Sequence, residues 1–375
     1  MNILTAITDK NLFRPFLQDV NGRLFSWLNW SVALRCLYGL PIKPKHKKLL
    51  MTCTGRDINK LPSEGFDTAL FLTGRRSGKS RIASLIGAYE ACLTGREKLL
   101  AKGETGMVLI CAPTQKQARI VKRYLRAIFE LTPLLQNEIV AEQKGGFLLS
   151  NGVVVEILAG DWRSVRGYTL LAAIVDELCF FGLDVESKVR SDTELIRAIK
   201  PSLATTQGRL ICISSPYAKK GRAFKWFKQN FGNDAGKVLV WNSPSRTMNP
   251  TLPQEIVDEA LAEDLQAAKS EYMGEFREDI VIWLPREVIE SVVKIGRREL
   301  LPRTSIQYRA FVDVSGGNDS VDHPQGGRDD VSNVVAGCAY ITAKRKKIAG
   351  SLFRNMNVEE SKIIRSRILL AGMAK

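Results

Sequence analysis

Large apolar side chains recur at helical spacing through the first forty residues, with Phe13, Phe16, Phe25, Trp27, Trp30, Leu34, Leu37 and Leu40 in that series. The pattern predicts one or two amphipathic helices whose aromatics close against a larger body. A basic stretch follows, Lys43-Pro44-Lys45-His46-Lys47-Lys48, and reads as loop. From about residue 67 the pattern changes to short apolar runs alternating with helical periods. Strands are predicted at 69–72, 107–112, 153–158, 171–175 and 209–214, with helices from the glycine-rich segment 74–80 to about residue 93 and over 115–131. Such alternation predicts a mainly parallel sheet with flanking helices. Between about 252 and 300 the chain is charged, helix-rich and marked by Pro253 and Pro285, with Pro302 just beyond, a composition suited to a lid or linker. A further strand at 308–314 opens a new α/β unit. The expected organisation is a helical segment over 1–60, an α/β core over 61–250, a helical lid or linker over 251–305 and a partial α/β unit over 306–375. There is no internal repeat and no low-complexity segment.

Composition narrows the function classes. With 375 residues and 45% hydrophobic content, the chain can bury one large core and part of a second. Lys and Arg number 55 against 39 Asp and Glu, a formal charge of +16 that attracts polyanions and puts nucleic acid first among partners. Part of that excess is local, because residues 341–375 carry nine Lys or Arg against two Glu. Cys36, Cys53, Cys92, Cys111, Cys179, Cys212 and Cys338 sit mostly in apolar strings without CxxC spacing, as small core residues of a reducing compartment do. Two histidines, His46 and His323, leave little material for a His-rich zinc site or a Ser-His-Asp triad. No apolar run approaches the ~18 residues of a membrane span, and the N-terminus lacks a secretory layout. The expectation is a soluble intracellular protein.

The chemistry is concentrated at strand ends. Gly74-Arg75-Arg76-Ser77-Gly78-Lys79-Ser80 lies at a strand-to-helix junction, where backbone N–H groups and a helix N-terminus can cradle phosphates. There Lys79 would reach the β/γ-phosphates and Ser80 the magnesium. The pattern departs from the usual one, since three residues separate Gly74 from Gly78 and Thr73 holds the standard first-glycine position. The strand Leu171-Ala172-Ala173-Ile174-Val175 ends in Asp176-Glu177. In hydrolysis of a phosphoanhydride one acid can hold the metal through water while the second orients or deprotonates the attacking water, and Asp176 and Glu177 suit those two jobs. The strand at 209–214 ends in Ser214-Ser215, hydroxyls able to sense a terminal phosphate. Further on, Val312-Asp313-Val314 places an acid within an apolar strand, costly unless Asp313 binds a metal or is well paired. Asp329 or Asp330 precedes the next strand-like run.

Together these segments resemble the terminase large subunit family, the packaging ATPases and nucleases of tailed phages. The likeness also rests on Phe13-Arg14-Pro15-Phe16, Tyr38-Gly39-Leu40-Pro41, Ser164-Val165-Arg166-Gly167-Tyr168-Thr169, Ser214-Ser215-Pro216-Tyr217 and Arg246-Thr247-Met248-Asn249-Pro250, collinear from about residue 13 to 335. The resemblance implies a P-loop NTPase of the additive-strand type followed by an RNase H-like nuclease. It implies ATP and Mg2+ as ligands, with Gly74, Arg75, Arg76, Ser77, Gly78, Lys79 and Ser80 around the phosphates, Ser80 and Asp176 at the metal, Glu177 as base, and Ser214 and Ser215 as the coupling motif. Arg75 would act as a cis arginine, and Arg163 or Arg166 as DNA contacts or a trans arginine finger. In the nuclease, Asp313 would be catalytic and would share Mg2+ or Mn2+ with Asp329. The implied partners are double-stranded DNA, a homo-oligomeric ring on a capsid portal and a small terminase subunit, in the cytoplasm of a bacterial host and without a membrane. Because only 68 residues follow 307, and no further strand-end acid appears beyond 341, the nuclease is expected to be truncated and inactive. Two other readings are a helicase or other DNA-stimulated P-loop ATPase, against which the Asp313 segment speaks, and a non-enzymatic basic DNA-binding or scaffold protein, against which Lys79, Ser80 and Glu177 speak.

Overall fold

The computed structural model describes residues 1–159, 168–181 and 192–277. The chain divides into one unit spanning Met1–Val281 and a second spanning Ile282–Lys375. Asp313, Asp329 and Asp330 of the expected nuclease, together with Arg163 and Arg166, lie outside the described residues.

Four helices precede the sheet: α1 (Ile3–Thr8), α2 (Arg14–Leu17), α3 (Leu28–Leu37) and α4 (Lys47–Thr54). Asn2 starts α1 by accepting from the Leu4 and Thr5 amides at 3.1 and 2.9 Å, a side-chain cap for N–H groups that have no helical partner. The basic stretch expected as loop is instead a 3-10 turn, Pro44–His46, running directly into α4. Leu50 and Cys53 explain the helix: one turn apart, both are fully buried, so coiling seats an apolar face beneath the lysines.

The core follows as β1 (Thr68–Thr73), α5 (Lys79–Cys92), β2 (Gly106–Ala112), α6 (Gln115–Leu131), β3 (Ile139–Glu142), β4 (Gly146–Leu149), β5 (Val154–Ala159) and β6 (Thr169–Asp176). It continues through α7 (Asp192–Ser202), β7 (Arg209–Ser214), α8 (Gly221–Asn230), β8 (Val238–Ser243), α9 (Ser245–Met248), α10 (Gln254–Glu263) and α11 (Leu265–Ala268), then a π-helical turn, Lys269–Met273. The strands form one sheet in the order β3-β4-β5-β2-β6-β7-β1-β8. Pairing is parallel from β5 to β8 and antiparallel at the β3-β4-β5 edge, so the sheet is mixed. β7 lies between β1 and β6, the inserted strand of an additive-strand arrangement.

Both faces are covered, as a parallel sheet requires. Alternate residues serve each face: Ala69, Phe71, Val108 and Ile110 pack with α3, α5 and α6, while Leu70, Leu72, Leu109 and Cys111 pack with α7 and α8. Register aligns the carboxyl ends of the central strands, since Leu72 pairs with Ser214, Thr73 with Ser243, and Asp176 with Ile213. The crevice outside those ends is where ligands bind in open α/β sheets.

Candidate active site

The 74–80 loop leaves the end of β1 and enters α5 through Gly78, whose φ of 88° is left-handed. A Cβ there would sit 2.7 Å from the Trp27 ring, so both backbone conformation and space demand glycine. Gly74 is needed for space alone, because a Cβ would meet Ser245 Oγ at 2.2 Å and the Tyr272 carbonyl at 2.8 Å. Thr73, in the standard first-glycine position, remains part of β1 and is fully buried. Its hydroxyl lies 2.8 Å from Ser77 Oγ and closes the loop on itself.

Other elements hold the loop from outside. Trp30 on α3 donates its indole N–H to the Ser77 carbonyl at 2.7 Å. Asn249, just after α9, donates to the Arg76 carbonyl at 2.8 Å, supporting a residue whose φ of 63° is uncommon for a non-glycine. The Arg75 amide donates to the Glu271 carbonyl, and the Arg75 guanidinium pairs with the Glu271 carboxylate at 2.9 Å. These two side chains are 61% and 43% exposed, so the pair itself adds little stability.

The predicted polar residues converge on Lys79, which is 6% exposed. Its ammonium donates to the Thr73 and Gly74 carbonyls at 3.3 and 3.2 Å and to Ser215 Oγ at 2.8 Å, and lies 3.5 Å from Glu177 Oε1. Ser80 Oγ donates to Asp176 Oδ2 at 2.8 Å. Asp176 Oδ1 is buried with no partner, and burial, reinforced by the neighbouring Glu177, pushes the Asp176 carboxyl up to about 7. A hard-oxygen pair, Ser80 and Asp176, with an orphaned buried carboxylate oxygen beside it, fits a magnesium ion. Glu177 follows the strand at a φ of 55°, a left-handed turn that swings its carboxylate towards β7. There Glu177 Oε2 accepts from the Ser215 amide at 3.1 Å. The single Ser214 hydroxyl proton goes to the Ser215 carbonyl at 2.7 Å in preference to Glu177 at 3.4 Å.

The structure thus brings together Gly74, Arg75, Arg76, Ser77, Gly78, Lys79, Ser80, Asp176, Glu177, Ser214 and Ser215. Sequence reasoning missed the roles of Trp27 and Trp30, which it counted as core, and of Arg81, Asn249 and Glu271. Beside the loop a cavity of about 220 Å3 is lined by Ser26, Trp27, Arg76, Arg81, Asn249 and Thr251 among others. The Arg81 guanidinium lies 5.2 Å from the centre of the largely buried Trp27 ring and 4.7 Å from that of Phe16, and donates to the Phe16 carbonyl, so it is held between two aromatic rings. A larger cavity of about 500 Å3, bounded by Gly39, Pro41, Ile58 and Pro62, lies apart from these residues and has no carboxylate among its lining residues.

Comparison with known proteins bears on the same region. Residues 70–211 match the family model for the N-terminal part of the T4-like-virus type of terminase large subunit. That span runs from β1 to β7 and holds the 74–80 loop, Asp176 and Glu177, with Ser214 and Ser215 just beyond it and Asp313, Asp329 and Asp330 far outside it. No curated protein matches the chain. Among solved structures, the large terminase ATPase domain of Thermus phage P74-26 is 19% identical, covering 65% of this chain and 97% of that one, with a TM-score of 0.44. The HK97 bacteriophage large terminase is 16% identical over 63% of this chain and 51% of that one, with a TM-score of 0.45. The N-terminal domain of the DNA packaging ATPase from bacteriophage phi29 is 16% identical over 44% of this chain and 81% of that one, with a TM-score of 0.28. Among the described residues no helix is long and apolar enough to cross a membrane.

Proposed function

We propose that this chain is the ATP-hydrolysing motor of a double-stranded DNA packaging machine, a terminase large subunit. The observation that carries the reading is the convergence of Lys79, Ser80, Asp176, Glu177 and Ser215 at the carboxyl ends of β1, β6 and β7. In this reading the amides of the loop and the N-terminus of α5 receive the phosphates. Lys79 leaves the Thr73 and Gly74 carbonyls for the β/γ-phosphate oxygens. Ser80 and Asp176 would hold Mg2+, which would supply neutralisation of the phosphate charge. Glu177 orients the attacking water and takes its proton, while its Ser215 contact passes the change to β7. The adenine ring of the nucleotide enters the cavity beside the loop that Ser26, Arg76 and Thr251 help to line. Arg75 reaches the γ-phosphate as a cis arginine once it exchanges Glu271 for that anion. Double-stranded DNA, a ring of copies on a portal and a small subunit are the partners in this reading, in the cytoplasm of a bacterial host. The endonuclease assigned to Asp313 and Asp329 supplies no step here.

Steady-state ATP hydrolysis by the full chain, with and without duplex DNA, tests the proposal. Turnover should be DNA-stimulated and should fall at least ~100-fold in both Lys79→Ala and Glu177→Gln, the scale of losing a charge clamp or a general base. A folded wild type that binds ATP but never turns it over would overturn the motor reading. Strand separation driven by ATP would favour a helicase.

A further inference from the structure

α6 has a face that its packing does not explain. Ala118, Val121, Leu125, Ile128 and Phe129 bury one side of the helix against the sheet and α5. The opposite side presents Lys116, Arg119, Arg123 and Arg126, all exposed and spaced three or four residues apart, with Glu130 the one acid of the helix. Lys122, on the flank, and Arg126 share the single carboxylate of Glu142 on β3. Among the described residues Lys116, Arg119 and Arg123 have no ion pair. The β3-β4 turn adds the exposed Lys144, held beside the helix where Lys122 Nζ donates to the Gln143 and Lys144 carbonyls at 2.7 and 3.3 Å. Between these side chains runs a surface depression of about 510 Å3, lined by Ile120 and five basic residues.

We propose that this face of α6 is a contact surface for the sugar-phosphate backbone of duplex DNA. Ten residues of helix place the four cations over about 15 Å. Duplex DNA carries a phosphate every ~3.4 Å of axis on each strand, so a row of that length spans about four phosphates of each strand and can meet several of them where it crosses a backbone. An acidic protein surface offers no such regular array. α6 also begins after only two intervening residues from β2, at the carboxyl end of the parallel strands, the same end that carries the 74–80 loop, so movement there would be transmitted to the bound backbone. The identity of the polyanion rests on the motor reading; the charge row does not.

The test is fluorescence anisotropy of a labelled duplex of arbitrary sequence, titrated with the full chain at several KCl concentrations. The variant carries Lys116→Gln, Arg119→Gln and Arg123→Gln, exposed changes that leave the core untouched. Affinity at 0.1 M salt should fall at least about tenfold, and the slope of log K against log salt should shrink by about 2.7, the release of three phosphates' counterions. A control carrying Lys225→Gln, Lys228→Gln and Lys237→Gln, equally exposed but remote on α8 and before β8, should keep the wild-type slope. Unaltered affinity and slope in the α6 variant overturn the proposal, as do equal losses in the control, which would indicate bulk charge. So does a changed oligomeric state, by light scattering, with duplex affinity unchanged, which would make the face a subunit contact. ATP turnover without DNA separates the two readings. A wild type that hydrolyses ATP but ignores duplex loses this surface and keeps the nucleotide site. One that binds duplex through α6 without hydrolysis loses the motor and keeps the surface.

Discussion

Gly78 and Thr73 show how single positions decide what the 74–80 loop tolerates. Thr73 can replace glycine because its backbone is ordinary strand and its hydroxyl finds Ser77. Gly78 cannot be replaced in the same way. In Gly78→Ala the left-handed backbone alone costs roughly 1–2 kcal/mol, and the Trp27 ring must also move. Denaturant unfolding should register a loss of at least that size, with nucleotide affinity falling in parallel; a neutral substitution would contradict the geometry. Glu90 is a second decisive position. It is fully buried, accepts from Tyr38 Oη at 2.8 Å and pairs with Arg96. Burial lifts its carboxyl above the ordinary 4.5, against the opposing pull of Arg96 and Arg209. A carboxyl whose folded value exceeds its unfolded one binds more protons in the native state, so its contribution to stability is lost as pH rises from 4.5 through the folded value. Glu90→Gln removes that titration. Across pH 4 to 8 the stability of wild type relative to the variant should therefore decline with rising pH, and an increasing difference would refute the direction.

At the level of elements, α3 acts as a brace for the loop. Trp30 donates its indole N–H to the buried Ser77 carbonyl from outside the loop, at 2.7 Å, and its ring packs 5.7 Å from Phe71 of β1. Trp30→Phe keeps most of the packing and removes the N–H, leaving a carbonyl short of its partner at a cost of about 1–3 kcal/mol. Equilibrium binding of a fluorescent nucleotide should weaken; unchanged binding would show that the loop holds its shape without α3. Such braces were not legible in the sequence, because they join Trp30 to Ser77, Asn249 to Arg76 and Glu271 to Arg75 across 47, 173 and 196 residues. β1, β2, β5, β6 and β7 were legible, as were α5 and α6, because apolar runs and helical periods are local signals. The β3-β4 edge hairpin was not: three of the four β3 residues are exposed, so no alternation marks the strand. β8 passed unnoticed although Val238, Leu239, Val240 and Trp241 are buried, since a short apolar run alone does not distinguish strand from buried helix. The candidate site followed the same rule. Lys79 with Ser80, and Asp176 with Glu177, are adjacent pairs that announce themselves, whereas Trp27 and Arg81 meet only after folding.

For the whole molecule, strand order determines when the site can exist. β1 lies between β7 and β8, so the strand that bears the loop has neither sheet neighbour until residues 209–243 are in place. Glu271, which holds the Arg75 amide and guanidinium, lies 196 residues further along the chain. At a synthesis rate of ~5–20 residues per second, a ribosome needs about 10–40 s to travel from Arg75 to Glu271. Until residues 209–243 are made β1 exposes two unpaired edges, and until Asn249 and then Glu271 follow the nascent loop has its own glycines and lysine but not these braces. The order of the strands therefore makes assembly of this site a late event in the life of each newly made chain, and makes β1 a segment that a chaperone would meet before any nucleotide could.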